Sequence, residues 1–283
     1  MVLSTDSTLT FAPGAVVPVS FGTNVITVAA TAADGRSTGY AQVSVTNEGG
    51  GTSVLDASDP AGDDNGPGTY QYPTASDFVA GSFDLTRFQV LSDGTFAYLR
   101  VTLRTLVPTF GVLDGAQLLD VYVHVPGAAS TSTAAAFLSR NYTIAPSGAW
   151  SQLLEAQGFA SPVWENASGA SVGTASVLPV QSDKTITIAV PEAQFGTPAS
   201  GWGFTVVLTG QNGFSSDQAR GFAPTPQGFL FGVCAPGGTS PICSVDPGTV
   251  AKAVDVITPP GVDQGTELDP THQPVVIQPV VAP

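Results

Sequence analysis

The sequence has few basic residues. Lys and Arg together number 8 among 283 residues, against 22 Asp and Glu, which gives a formal net charge of −14. A nucleic-acid-binding protein needs a basic surface to face the phosphates, so this class is excluded. The sequence also lacks any apolar run of about 18 residues, the length that predicts a transmembrane helix.

The first residues lack the basic start and the apolar centre of a secretory signal peptide. Most of the polar residues are Ser, Thr, Asn, Gln and Asp, a composition typical of secreted bacterial β-proteins. We therefore expect the chain to be a piece of a longer protein that is secreted or held at the cell surface.

Cysteine is nearly absent. Cys234 and Cys243 are the only two, and eight residues rich in Gly and Pro separate them. This spacing suits a disulfide that closes a loop in an oxidising compartment. The alternative is a pair of free buried thiols in a cytosolic protein. A zinc site is not expected, because no third and fourth soft ligand lie nearby.

Turn-forming residues, in contrast, are abundant. The sequence contains 32 Gly and 23 Pro, and its acids are 17 Asp against 5 Glu, although Glu is the better helix former. Apolar and polar residues alternate in many short segments, for example on both sides of the turn at Asp93 and Gly94. Only residues 150–157 suggest a clear helix. The sequence predicts an all-β protein built from antiparallel strands.

The densest group of acids lies in residues 56–85, where Gly and Pro are also frequent. Ca²⁺ takes six to eight oxygen ligands and needs a backbone that wraps closely around it, which glycine permits. Counting from Asp59, the twelfth position is Tyr70 rather than Glu, so the segment is not an EF-hand loop. The alternative is a solvated, turn-rich loop in which Asp side chains bond to their own backbone.

Three segments resemble one known family. Residues 59–90 (DPAGDDNGPGTYQYPTASDFVAGSFDLTRFQV) look like the opening of the C-terminal module of glucodextranase, which is also found in amylopullulanases. Residues 254–270 resemble the closing motif of that module, and residues 201–214 resemble a late core strand. The resemblance implies an antiparallel, jelly-roll-like β-sandwich similar to family-9 carbohydrate-binding modules, often with calcium.

The resemblance favours the cation interpretation of the acidic loop. Asp59, Asp63, Asp64 and Asp84 are then expected to be ligands of a structural Ca²⁺. Asp255 or Asp263, in the closing segment, is expected to approach them if the terminal strands pair.

Sugar binding is expected on aromatic side chains, because sugar rings present apolar C–H faces. The candidates are Trp150, Trp164, Tyr70 and Tyr72. Core packing is the alternative for Trp164, and Tyr70 and Tyr72 are also placed to cover the cation site.

The N-terminal residues 8–46 form a separate pattern of strands and turns, with turns at Pro13 and Gly14 and at residues 34–36. They resemble the last strands of a bacterial immunoglobulin-like domain. We expect this partial segment and its linker, residues 48–51, to fill the first 50 residues or so, and the β-sandwich to occupy residues 51–270. Residues 271–283 are expected to be an extended, Pro- and Val-rich tail that acts as a linker rather than a folded end.

The expected function follows from the family. In it the module is non-catalytic, and it accompanies a secreted, α-glucan-active glycoside hydrolase whose catalytic domain would belong to the same parent chain. The first hypothesis is binding of a polysaccharide, an α-glucan such as dextran, pullulan or starch. The alternative is a cell-surface anchoring or spacer module that binds cell-envelope polymer without α-glucan affinity.

Overall fold

The computed structural model describes residues 2–3, 10–11 and 16–283, with side chains from Val16 onward. It consists of two compact units, Met1–Gly50 and Gly51–Pro283. The boundary falls in the Gly-rich segment 48–51 that was expected to be a linker. We call the second unit the main module.

The N-terminal unit contains one antiparallel sheet with the strand order β2-β1-β3-β4. These strands are β1 (Val2–Leu3), β2 (Thr10–Phe11), β3 (Gly22–Thr31) and β4 (Thr38–Asn47). Asp34 accepts a hydrogen bond from the backbone N–H of Arg36 in the turn between β3 and β4. The predicted turn at Pro13 and Gly14 lies outside the described residues, and the likeness to an immunoglobulin-like domain stays a prediction.

The main module contains two antiparallel sheets. One has the order β12-β13-β7-β6-β5, and the other has the order β11-β10-β8-β14-β17, with β19 also pairing with β14. Their strands are β5 (Thr52–Ser58), β6 (Leu85–Ser92), β7 (Phe96–Leu103), β8 (Gln117–His124), β10 (Gln152–Gln157), β11 (Val163–Asn166), β12 (Ser176–Val180), β13 (Thr185–Pro191), β14 (Gly203–Gly210), β17 (Asp255–Val256) and β19 (Val280–Val281).

The remaining elements are short. Two parallel pairs join β9 (Thr143–Ile144) to β18 (Val276–Ile277) and β15 (Phe222–Ala223) to β16 (Phe231–Gly232). Within the described part of the chain, helix is confined to α1 (Glu192–Phe195), α2 (Gln264–Glu267) and the 3₁₀ turns Leu138–Arg140, Pro146–Gly148 and Pro241–Ser244. None of these helices is long and apolar enough to cross a bilayer.

The main core lies between the two sheets. Alternate residues of each strand point into it, among them Phe88 in β6, Val101 in β7 and Val206 in β14. A second apolar cluster covers the other face of the sheet that contains β8, with Tyr122 and Val207 in its centre. Because both faces are covered, β14 is buried along its whole length. The protein is an all-β sandwich, as predicted.

A buried ion cluster lies on that second face. Arg140 is fully buried and donates hydrogen bonds to Asp120 and to Glu155, at 2.7 Å from the latter. The hydroxyl groups of Tyr122 and Tyr142 also donate to Asp120. The cluster offsets the charge of two carboxylates that face each other on the paired strands β8 and β10.

Two sequence-based expectations were wrong. Residues 150–157 form no helix; most of them belong to β10, because pairing with β8 on one side and β11 on the other outweighs the helical propensity of Leu, Glu and Gln. The tail, residues 271–283, is extended but is not a free linker. β18 and β19 pair with β9 and β14, and Ile277 and Val280 are buried.

Candidate metal centre and binding surface

Three carboxylates from distant parts of the main module lie together. Asp59 directly follows β5, Asp63 lies in the loop after it, and Asp255 begins β17. One oxygen atom from each of the three lies within 4.8 Å of the other two. Oxygen ligands of one Ca²⁺, at 2.3–2.6 Å from the ion, are at most about 5.2 Å apart. The spacing of the three carboxylates therefore suits a shared calcium ion.

Asp84 borders this group and is fully buried. Its Oδ2 accepts a hydrogen bond from the N–H of Gly62 at 2.8 Å, and Arg104 approaches the same oxygen at 3.4 Å. Its Oδ1 has no hydrogen-bond partner among the described residues, and the same is true of Asp59 Oδ2 and Asp63 Oδ1. Buried carboxylate oxygens without partners are destabilising, so the donor set fits a hard cation that would satisfy them.

The acidity of the group supports the same conclusion. Burial, followed by the negative charge of Asp63, raises the pKa of Asp59 to about 8. Burial and then the charge of Asp59 raise the pKa of Asp255 well above its usual range. The pKa of Asp84 is raised as well, by burial and then by Asp64. A positive charge between these carboxylates would lower their pKa values and favour their ionised forms at neutral pH.

Backbone contacts hold the opening loop against the closing segment of the module. The N–H of Gly66 donates to the carbonyl of Val254 at 2.8 Å, and the side-chain amide of Gln264 donates to the carbonyl of Asp63 at 2.6 Å. Gly66 has a φ of +57°, and a Cβ there would lie 2.3 Å from the ring of Tyr70, so only glycine fits. A cavity of about 280 Å³ lies beside this loop and is lined by Asp63 and Gln264.

Asp64 does not join the group, contrary to the sequence-based expectation. Its carboxylate accepts a hydrogen bond from the hydroxyl of Tyr72, which in turn accepts one from the N–H of Phe83 at 2.9 Å. The group thus contains the predicted Asp59 and Asp63, with Asp84 beside them, and gains Asp255.

The structure places the predicted sugar-binding aromatics in the interior instead. Trp150 and Trp164 are buried, and their indole N–H groups donate to the carbonyl of Ala134 and to the side chain of Gln152. The hydroxyl of buried Tyr70 donates to the carbonyl of Ala251. Their polar atoms find partners inside the protein, which permits burial of these amphipathic rings. Tyr72 is partly buried, and its hydroxyl donates to Asp64 in the acidic loop.

The exposed aromatic rings lie elsewhere. Phe110 is 42% exposed and Phe229 is 54% exposed, and their ring centroids are 6.3 Å apart. Both rings pack edge-on against the buried Phe78, at 5.8 and 6.1 Å. The guanidinium group of Arg220 lies 4.6 Å from the centre of the Phe78 ring. We call Phe78, Phe110 and Phe229 the aromatic cluster.

The aromatic cluster was not predicted from the sequence, because the prediction considered only Trp and Tyr as sugar-binding rings. A usable signal was present: Phe110 precedes Gly111 and Phe229 follows Gly228, in loops rich in Gly and Pro. A large apolar ring in such a loop has no strand to direct it into the core, which makes its exposure more informative.

Comparison with known families identifies one match. The sequence of residues 54–279 matches the C-terminal, SLH-like binding module of glucodextranase. The chain belongs to this family. The family recognised from residues 59–90 and 254–270 is thereby confirmed, and the match extends into the tail that packs on the sandwich. No curated protein matches the chain at a significant level.

The glucodextranase-type module contains the predicted disulfide. Cys234 and Cys243 are bonded to each other, with Cα atoms 5.4 Å apart. The bridge lies beside a small apolar cluster that includes Tyr70 and Val250. Since Tyr70 also packs against Gly66 in the acidic loop, the disulfide-closed loop supports the same end of the sandwich.

Proposed function

We propose that this chain is a non-catalytic accessory module that binds polysaccharide, specifically an α-glucan such as dextran, pullulan or starch. It would serve the catalytic domain of a secreted glycoside hydrolase within one parent chain. The observation that carries this proposal is the aromatic cluster, with two exposed rings held in place on the surface of a module whose family is one of binding modules.

The aromatic cluster has the properties that a sugar-binding platform requires. The rings of Phe110 and Phe229 are inclined at 41° to each other, so they present two faces to a bent or helical glucan chain. Phe78 supports both rings from below, which limits the side-chain entropy lost on binding. Stacking on C–H faces also needs no charge, which is consistent with a surface poor in basic groups.

Affinity chromatography tests the proposal. We expect the purified chain to be retained on immobilised dextran, pullulan or starch and to elute with soluble oligosaccharide of the same linkage. Isothermal calorimetry with isomalto-oligosaccharides and maltodextrins would then identify the preferred linkage. Free passage through all three columns, together with no heat of binding, refutes the α-glucan proposal.

We further propose that a structural Ca²⁺ is bound by Asp59, Asp63 and Asp255, with Asp84 adjacent. The support is the 4.8 Å spacing of three carboxylates and the buried oxygens without partners beside them. The ion would join the start of the module to its closing segment. It would act on stability, because its ligands come from segments far apart in the chain that the ion would hold together.

The second candidate function is attachment to the cell surface, which the family description as SLH-like favours. In that case the module would bind a cell-envelope polymer without affinity for α-glucan, and its location would be the outer face of the cell. Sedimentation with purified cell-wall material, combined with no retention on the glucan columns, would select this candidate over the first.

A further inference from the structure

A cavity of about 400 Å³ opens at an edge of the sandwich, away from the acidic group. Its lining comes from both sheets: Gln157 ends β10 in one, whereas Val177 and Pro179 belong to the edge strand β12 of the other. Pro162 adds to the apolar wall, and Asp114 lies in the loop before β8. The volume lies in the range of about 300–1,000 Å³ that is usual for small-molecule sites.

Two buried polar groups face this cavity. The Gln157 side chain is only 8% exposed, and its Oε1 has no hydrogen-bond partner within the described part of the chain. Asp114 is 5% exposed. Between them lies Gly158, where a Cβ would come within 2.9 Å of the Asp114 Oδ1. The absence of a side chain at Gly158 therefore leaves room around a carboxylate and beside an amide oxygen.

We infer that this cavity binds one neutral sugar unit of the polysaccharide, with Asp114 and Gln157 accepting hydrogen bonds from its hydroxyl groups. Pro162, Val177 and Pro179 form the wall for its apolar C–H face. The inference rests on the proposed function and assigns a second subsite to it.

The chemistry of the lining selects a hydroxyl-rich, uncharged ligand. The Gln157 Oε1 is a buried acceptor without a donor, and the Asp114 carboxylate beside Gly158 is a second acceptor. A sugar supplies adjacent O–H donors on its edge and C–H groups on its face. A positively charged ligand is disfavoured, because one carboxylate does not repay the free-energy cost of removing an ammonium group from water. Burial raises the pKa of Asp114, so donors from a ligand would replace the water that this carboxyl lacks.

The cavity and the aromatic cluster share one loop. Thr109 and Val112 pair with each other at 2.8 Å and close a tight turn, from which Phe110 projects outward. Asp114 follows two residues after Val112 and faces the cavity. A polysaccharide that stacks on Phe110 therefore has its next units close to the loop that carries Asp114. A chain ligand with several sugar units suits this arrangement better than a single free sugar.

Calorimetric titration of the full chain with isomaltotriose and with maltotriose tests the inference. Three variants are compared: D114N, G158A and D183N. Asp183 is exposed in the turn between β12 and β13, so D183N repeats the chemical change of D114N outside the cavity. We expect D114N and G158A to weaken binding by about tenfold or more, because a hydrogen bond to a charged group is lost or blocked. D183N should bind as the unchanged chain does.

Thermal unfolding of each variant verifies that it is folded. Should D114N or G158A fail to fold, the side-chain amide resonances of Gln157 in the unchanged chain give an independent readout, and they should shift on addition of the same trisaccharide. If folded D114N and G158A bind the trisaccharide as tightly as the unchanged chain does, the inference is overturned. An unshifted Gln157 amide in a chain that binds the trisaccharide overturns it too. Both outcomes leave the proposed function intact. A chain that binds neither trisaccharide nor polysaccharide overturns both.

Discussion

An oxygen of Asp255, at the start of β17, lies within 4.8 Å of an oxygen of Asp59, at the end of β5. The two residues come from the closing and the opening segments of the main module. Asp255 also accepts a hydrogen bond from the N–H of Leu85 at 2.6 Å, which brings it beside Asp84 at the start of β6. The acidic group is thus a junction between three parts of the chain rather than a property of one loop.

The first prediction concerns this junction. Calcium should raise the melting temperature of the chain, and a chelator should lower it, since an ion that binds only the folded state adds about 2.7 kcal/mol at one hundred times its dissociation constant. The D255N variant should lose this calcium-dependent shift. D77N, at an exposed Asp of the same loop, is the matched control and should keep it. An equal shift in D255N and D77N would contradict the site.

The second prediction concerns the aromatic cluster. The double variant F110A/F229A should lose retention on the glucan columns and stay folded, with a free energy of unfolding lowered by about 2–4 kcal/mol, because each ring is only about half buried. F214A is the control, since Phe214 is exposed but its ring makes no contact with the rings of the aromatic cluster. Unchanged retention of the double variant would remove these rings from the binding surface.

The third prediction concerns the buried ion cluster. R140M should lower the free energy of unfolding by about 3–5 kcal/mol, because Asp120 and Glu155 would be left buried without their cation. R87M removes a pair with Asp56 on the surface, and its effect should stay below about 1 kcal/mol. Urea unfolding followed by circular dichroism measures both. If R140M and R87M lose similar amounts of unfolding free energy, burial of an ion pair does not determine its contribution to stability.

The fourth prediction concerns pH. Burial raises the pKa of Glu267 from its usual 4.5 to about 7, although the N–H of Gln278 partly offsets this. A carboxyl group with a raised pKa in the folded state favours folding below pH 4.5, and this contribution is lost as the pH rises to about 7. E267Q keeps an oxygen for Gln278, so its stability relative to the unchanged chain should increase over this interval. A constant difference between the two proteins from pH 4 to pH 8 would contradict the assignment.

The fifth prediction concerns the disulfide between Cys234 and Cys243. Replacing both residues by Ala should lower the free energy of unfolding by about 2–3 kcal/mol, since the bond closes a short loop in the unfolded chain. A reductant should lower the melting temperature of the unchanged chain and leave that of the double variant unaltered. If the reductant acts equally on both proteins, the bond does not supply this stability.

The sequence determined the fold class, the disulfide partners and the family. These follow from local patterns: alternation of apolar residues in β6 and β7, turn residues such as Asp93 and Gly94, and two cysteines that have only each other as partners. It also located Asp59 and Asp63 in an acidic, glycine-rich loop. Such features are visible without a structure because neighbouring residues in the chain decide them.

The tertiary structure decided which side chains meet and which are exposed. Asp255 joins Asp59 only because β17 pairs with β14 and passes the start of β6, and Asp64 is excluded because its side chain turns to Tyr72. Trp150 and Trp164 are buried because strand pairing closes over them, whereas Phe110 and Phe229 remain outside. These outcomes depend on contacts between residues far apart in the chain, and no local pattern encodes such contacts.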